Sequence, residues 1–253
     1  PDAGGAEQQA RPVRVGLPPG ARVPWAARVL LGLNIAIFVV PWLLSQALGL
    51  PLDELVLALG AKDNRAIFQG GEYYRFLTAM FLHGGPTHIL FNAWALYALG
   101  FEAERIYGTA RFLAVYFLAG LAGGAASYAL NPFPSVGASG AIFGLIGALA
   151  AFYYTARGVL GGIARQQLGS LLFVILINIG LGLASPNIDN NAHIGGLLAG
   201  GLAGWLLAPR FALVPYAYPP LVERRSLPLA WPGVLALLAA VAGLVVTIVP
   251  PLR

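Results

Sequence analysis

Between Arg111 and Arg157 the chain runs for 45 residues without an Asp, Glu, Lys or Arg. A membrane-spanning helix needs roughly 20 predominantly apolar residues. This stretch is therefore read as two spans, and Asn131-Pro132-Phe133-Pro134 marks the turn between them. Uncharged gaps of span length recur elsewhere. Arg28 to Asp53 leaves 24 residues, Arg75 to Glu102 leaves 26, and Arg165 to Asp189 leaves 23. Asp189 to Arg210 leaves 20 and Arg225 to Arg253 leaves 27. The pattern predicts seven spans, near residues 30–48, 86–101, 111–130, 138–156, 168–184, 192–208 and 231–249. They must be helices, because lipid offers an open strand no hydrogen-bond partners. Composition supports this. Charged residues are 10% of the chain, against roughly 25% in an average soluble domain, and hydrophobic residues are 58%. Mean hydropathy is +0.75. The predicted class is an all-α polytopic membrane protein; a soluble globule is excluded.

Charge also orients the spans. With a cytoplasmic N-terminus, the inner segments carry eleven basic residues: Arg11, Arg14, Arg22, Arg28, Arg105, Arg111, Arg157, Arg165, Arg210, Arg224 and Arg225. The outer segments carry four, Lys62, Arg65, Arg75 and Arg253. That asymmetry predicts N-in, C-out. It also explains the net charge of +5 as loop bias, so no nucleic-acid partner is expected. Residues 1–24 are expected to be a mobile cytoplasmic segment, and a chain starting at Pro1 reads as trimmed. Residues 25–208 form the expected six-helix core. Residues 209–230, with five prolines, read as a cytoplasmic linker, and 231–253 as a seventh span with the C-terminus. Residues 49–85 read as a long outer loop, amphipathic from Tyr73 to His83. With no cysteine, disulfides, thiolate metal sites and a thiol nucleophile are excluded.

Under this topology the second, fourth and sixth spans run in the same direction. Each opens with polar residues: His88 and Asn92, Ser139, and His193. At about 1.5 Å per residue all four lie in the outer half of the membrane. Ionisable groups at that depth are costly and usually functional. Ser139 sits in Gly137-Ala138-Ser139-Gly140. Glycines on both sides permit close approach, and a helix start leaves the Ser139 N–H free for an oxyanion. An ordinary N-cap serine is the other reading. His193 is followed by Gly196 and Gly200 on one helix face, a smooth surface for a neighbour such as the fourth span with Gly140, Gly144 and Gly147. It could serve as a base for a serine, or bond between helices as a structural histidine. His88 and Asn92 share a face and can donate to an oxyanion. Three histidines could bind zinc, but there is no HExxH and only Asp189 is near, so no metal is expected. Asp189 is assigned to the loop leading into its helix rather than to a triad.

Together, Gly137-Ala138-Ser139-Gly140, Ala192-His193-Ile194-Gly195-Gly196-Leu197-Leu198-Ala199-Gly200 and His83-Gly84-Gly85-Pro86-Thr87-His88-Ile89-Leu90-Phe91-Asn92 resemble rhomboid intramembrane serine proteases. The resemblance covers about residues 30 to 208, with the motifs in the family's order. It implies a six-helix rhomboid-like bundle, to which this chain adds a C-terminal helix. It implies a Ser139–His193 dyad without a third acid, and an oxyanion hole from the Ser139 N–H in its Gly137 turn, Asn92 and His88. Phe143 falls where the family packs an aromatic ring under the histidine. Tyr73-Tyr74-Arg75 resembles the family's Trp-Arg pair, with Tyr74 replacing tryptophan, and Arg75 would tie down the outer loop. Glu104-Arg105-Ile106-Tyr107-Gly108 resembles the Glu-x-x-x-Gly motif at the start of the third span, with Glu104 as a brace. His83, Gly196 and Gly200 are expected to be structural.

The implied function is cleavage of membrane-anchored protein substrates in or near their transmembrane segment, without a cofactor. Its expected place is a bacterial plasma membrane, with the site opening to the outer side. Two rivals remain: an inactive rhomboid-like client-binding protein, and a transporter. The shallow, one-sided polar cluster argues against the transporter.

Overall fold

A computed structural model describes residues 23–213 and 222–252. Residues 1–22, and with them Arg11, Arg14 and Arg22, lie outside the described residues, as do Pro215, Pro219, Pro220, the side chain of Arg224, and Arg253. Among the described residues the chain is all-α apart from one short ribbon. Its helices are α1 Trp25–Leu48, α2 Leu52–Ala58, α3 Asn64–Gly70, α4 Arg75–Thr78, α5 Pro86–Ala95, α6 Phe101–Tyr107, α7 Thr109–Leu130, α8 Ser139–Leu160, α9 Gly162–Ala184, α10 Asn190–Leu207 and α11 Ala230–Thr247.

Each expected span has its helix, but not every one qualifies by itself as a membrane crossing. Five are long and apolar enough: α1, α7, α8, α9 and α11. The second span is continuous from Pro86 to Tyr107 but passes through a π turn at Leu96–Gly100. The sixth, α10, is diluted by Asn190, Asn191, His193 and five glycines. The two that fall short are the ones carrying the expected histidines and asparagine, because the polar groups that make a site also lower a segment's hydropathy.

Local chemistry sets the breaks. Gly108 at φ 81° separates α6 from α7, and Gly161 at φ 54° separates α8 from α9, conformations that favour glycine. Gly108 closes the Glu104 motif. Glu104 therefore lies in the last turns of the second span, not at the start of the third as the sequence suggested. The α1 helix has no side-chain cap of its own. The buried Glu104 carboxylate supplies one, accepting from the N–H groups of Ala26 (3.2 Å) and Ala27 (2.7 Å) and from Thr109 Oγ1 (2.7 Å). A carboxylate there also meets the positive end of the helix dipole.

The centre of the molecule is the α7–α8–α10 trio, with α8 innermost. The second span lies beside α1, α9 rests on α8, and α11 on α7 and α10. Glycines make the trio close-packed. A Cβ at Gly196 would run into the Gly140 carbonyl, and one at Gly200 into the Gly144 backbone. No large side chain fits that seam. Tyr107 closes one end of it, donating from its hydroxyl to the carbonyls of Ala148 (2.6 Å) and Gly204 (3.1 Å).

The segment 49–85 is not a slack loop. It folds into α2, α3 and α4, and Arg75 holds them together. Its Nε pairs with Glu72 (2.7 Å), and its guanidinium donates to the carbonyls of Leu57 (2.9 Å) and Ala61 (2.8 Å). Tyr73, Tyr74 and Leu77 face outward while Phe76, Ala79 and Met80 face in. In the 209–230 linker, strands β1 (Arg210–Leu213) and β2 (Val222–Arg225) pair antiparallel, with Arg210 opposite Arg225. The prolines gave no hint of it.

Candidate active site

Ser139 is the first residue of α8, half-buried. Its N–H belongs to the first turn, where no intrahelical acceptor exists. The chain reaches it through Gly137, at φ 123°, whose N–H donates to the Ala79 carbonyl (2.8 Å). Glycine is required here twice over. The backbone is left-handed, and a Cβ would lie 2.7 Å from His88 Nε2. The same point is 3.8 Å from Asn92 Nδ2. Thus α5 presents His88 and Asn92 against the turn that leads into Ser139. Asn92 is buried and oriented by donating to the His88 carbonyl (3.0 Å).

His193 stands on the first turn of α10, buried. Its ring lies flat on that of Phe143, with centroids 4.1 Å apart and planes 8° apart. Phe143 is one helical turn beyond Ser139. The seam brings the two turns together: a Cβ at Gly140, next to Ser139, would sit 3.4 Å from the carbonyl oxygen of Ala192, next to His193. Among the described residues, His193 Nδ1 is buried without a hydrogen-bond partner. Stacking, not an acid, holds the ring.

Asp189 is committed elsewhere. It caps α10 by accepting from the Ala192 N–H (3.2 Å), and Ser127 Oγ donates to its other oxygen. Burial raises its pKa, but hydrogen bonds from Ser127, Asn131, Ser135 and Ala192 outweigh that, so it lies below the usual carboxylate value. His83 packs edge-on to His88, with centroids 5.1 Å apart, and Nδ1 lies 3.2 Å from the Phe81 carbonyl. Burial first, and His88 second, hold its pKa down at about 3, so it is neutral. No group of three His, Asp or Glu able to hold a metal ion is found among the described residues.

The structure therefore gathers Gly137, His88 and Asn92 on one side of Ser139, and His193 with Phe143 on the other. His83 lies behind His88, and Gly196 and Gly200 lie in the seam. Arg75 and Glu104 act at a distance, on the 49–85 segment and on α1. Sequence reasoning missed Lys62. Counted only among the basic residues of the outer segments, it is 1% exposed and fully hydrogen-bonded. One signal was available: it is the only lysine in the chain, beside fourteen arginines.

The Rhomboid domain family matches residues 70–210, more than half of the chain. The chain is 46% identical over 150 residues to Rhomboid protease GluP of Bacillus subtilis (strain 168), covering 59% of this chain and 29% of that protein. It is 38% identical over 158 residues to RHOMBOID-like protein 6, mitochondrial, of Arabidopsis thaliana, covering 62% and 51% respectively. It is 36% identical over 139 residues to the putative rhomboid protease YdcA of Bacillus subtilis (strain 168), covering 54% and 68%. The match thus spans under a third of GluP and about half of the plant relative.

Proposed function

The chain belongs to the rhomboid family of multi-pass membrane proteins, and on that premise we propose that it is an intramembrane serine endopeptidase using a Ser139–His193 dyad. Its substrates are membrane-anchored proteins, cut in or near their transmembrane segment. The observation that carries the reading is the pairing of two halves around one serine. His193, stacked on Phe143, meets the Ser139 turn on one side, and Gly137, His88 and Asn92 meet it on the other.

Ser139 Oγ attacks the scissile carbonyl while His193 takes its proton, then returns it to the leaving amine. Negative charge develops on the carbonyl oxygen. The Ser139 N–H at the positive end of α8, the Asn92 amide and His88 stabilise it. A dyad suffices because the imidazole is held flat by Phe143, and the Asp189 carboxylate is already engaged by Ser127 and Ala192. Water attacks the acyl-enzyme from the outer side, where the charge bias places the site. The protein acts in a bacterial plasma membrane with its N-terminus cytoplasmic.

The test is cleavage of a single-span substrate in proteoliposomes by wild type, Ser139→Ala, His193→Ala and Asn92→Ala. Wild type cuts, and the first two fall to background. Asn92→Ala loses about 10²–10³-fold, the usual cost of one oxyanion donor. A wild-type chain that neither cuts nor reacts at Ser139 with a fluorophosphonate would make it an inactive client-binding relative instead.

A further inference from the structure

We propose that Lys62 and Asn64 form a buried positioning node that fixes the segment between α7 and α8, and so sets the geometry of Ser139 and Gly137. This rests on the protease reading above. Lys62 and Asn64 are 1% and 2% exposed. Lys62 Nζ donates to Asn64 Oδ1 (3.0 Å) and to the carbonyls of Asn131 (2.9 Å) and Phe133 (2.8 Å). All three ammonium donors are used. The Lys62 backbone exchanges two hydrogen bonds with Ser135, each 3.0 Å. Asn64 Nδ2 reaches the carbonyls of Tyr128 (3.2 Å), Asn131 (3.1 Å) and Pro251 (2.7 Å). The link 131–137 is thus gripped at Asn131, Phe133 and Ser135 by this node, and at Gly137 by Ala79. Ser139 follows two residues later.

The choice of residue is informative. A chain that uses arginine everywhere else places a lysine where three carbonyl-type oxygens converge. An ammonium offers three donors from one point, whereas a guanidinium fork spreads its donors in a plane. The Pro251 contact also ties the segment following α11 to the node.

The charges facing Lys62 are Asp63 on its own segment and Asp189 at the start of α10; Asn64, Asn131 and Ser135 face it as neutral groups. Burial outweighs the two carboxylates and lowers the lysine pKa to about 8. Above that pH a neutral amine has two N–H groups for three acceptors, and one grip is released. The folded pKa lies below the ordinary 10.5, so between about 8 and 10.5 the folded state binds fewer protons than the unfolded. This group's contribution to global stability therefore rises with pH in that window. An alkaline loss of activity from Lys62 reports local loosening rather than unfolding.

The experiment uses the full chain in proteoliposomes with a single-span substrate, comparing wild type, Lys62→Met, Lys62→Arg and Asn64→Ala. Amide exchange over 131–139 is read alongside kcat, KM and the pH profile. In wild type, kcat declines above about pH 8 while the thermal unfolding midpoint does not fall. Lys62→Met exchanges faster in 131–139 and loses about tenfold or more in kcat, the scale expected of a misplaced reacting group, with KM within about twofold. It lacks the alkaline decline. Lys62→Arg, charged throughout, lacks the decline too and recovers part of kcat. Asn64→Ala, a smaller truncation, moves exchange and kcat in the same direction. A Lys62→Met protein that exchanges like wild type overturns the node, as does a wild-type rate flat through pH 8. Faster exchange with wild-type kcat overturns its role in the reaction. A wild type that cuts nothing removes the protease reading, and the positioning role with it; the exchange data would show that as a separate failure.

Discussion

The α7–α8–α10 trio and the outer helices α9 and α11 are built on opposite rules. In α8 the spanning window is 72% buried, yet it is the least apolar of the five candidate crossings. The α9 window is only 6% buried and α11 17%, and both are more apolar than α8. In water the most apolar helix goes inside. In lipid apolarity earns no burial, because the tails are as apolar as leucine. What goes inside is the helix with small residues, able to bring backbone against backbone. The trio is held by shape, and the shell by length and hydropathy.

The sharpest break of this contrast is a leucine at a glycine. Gly196→Leu drives a side chain into the Gly140 carbonyl, whereas Gly180 on α9 has nothing within 4 Å of its would-be Cβ. Gly196→Leu is expected to cost at least about 3 kcal/mol, through overpacking against backbone that cannot move aside. Gly180→Leu should be silent in thermal unfolding of the detergent-solubilised protein. Equal effects would refute the contrast. A smaller effect comes from trimming leucines: Leu145→Ala in α8, 0% exposed, should cost about 2–5 kcal/mol. Leu176→Ala on α9, 62% exposed, should stay within about 0.5 kcal/mol. Smaller still, Glu104→Gln replaces a charged acceptor that caps α1 with a neutral one, for about 1–2 kcal/mol. Since Glu104 joins α1 to the trio, the loss should appear as faster amide exchange at the start of α1, with cleavage little changed.

Much of the candidate site was legible because its parts are short and local. Gly-x-Ser-Gly, and histidine followed by glycines at helical spacing, carry their chemistry in adjacent residues. Uncharged runs mark spans without any knowledge of what they touch. Lys62 was not legible in that way. Its acceptors are carbonyls about 70 residues away, and a backbone carbonyl carries no residue-type signal. The three short helices within 49–85 were hidden for the same reason: Arg75 was expected to tie the segment down, but its partners are largely main-chain oxygens. The second span was expected to end near residue 101 but runs on to Tyr107, where Gly108 ends it.

By itself the sequence determined a polytopic helical membrane protein, because lipid enforces helix length and penalises charge wherever they occur. Only the tertiary structure decided which helices are innermost. It also gave the expected contact of Phe143 with His193 its parallel stack, set His88 against Gly137, and made Asp189, already assigned to the loop before α10, the cap of that helix. Those are relations between backbones distant in the chain, fixed by where glycine lets two helices touch.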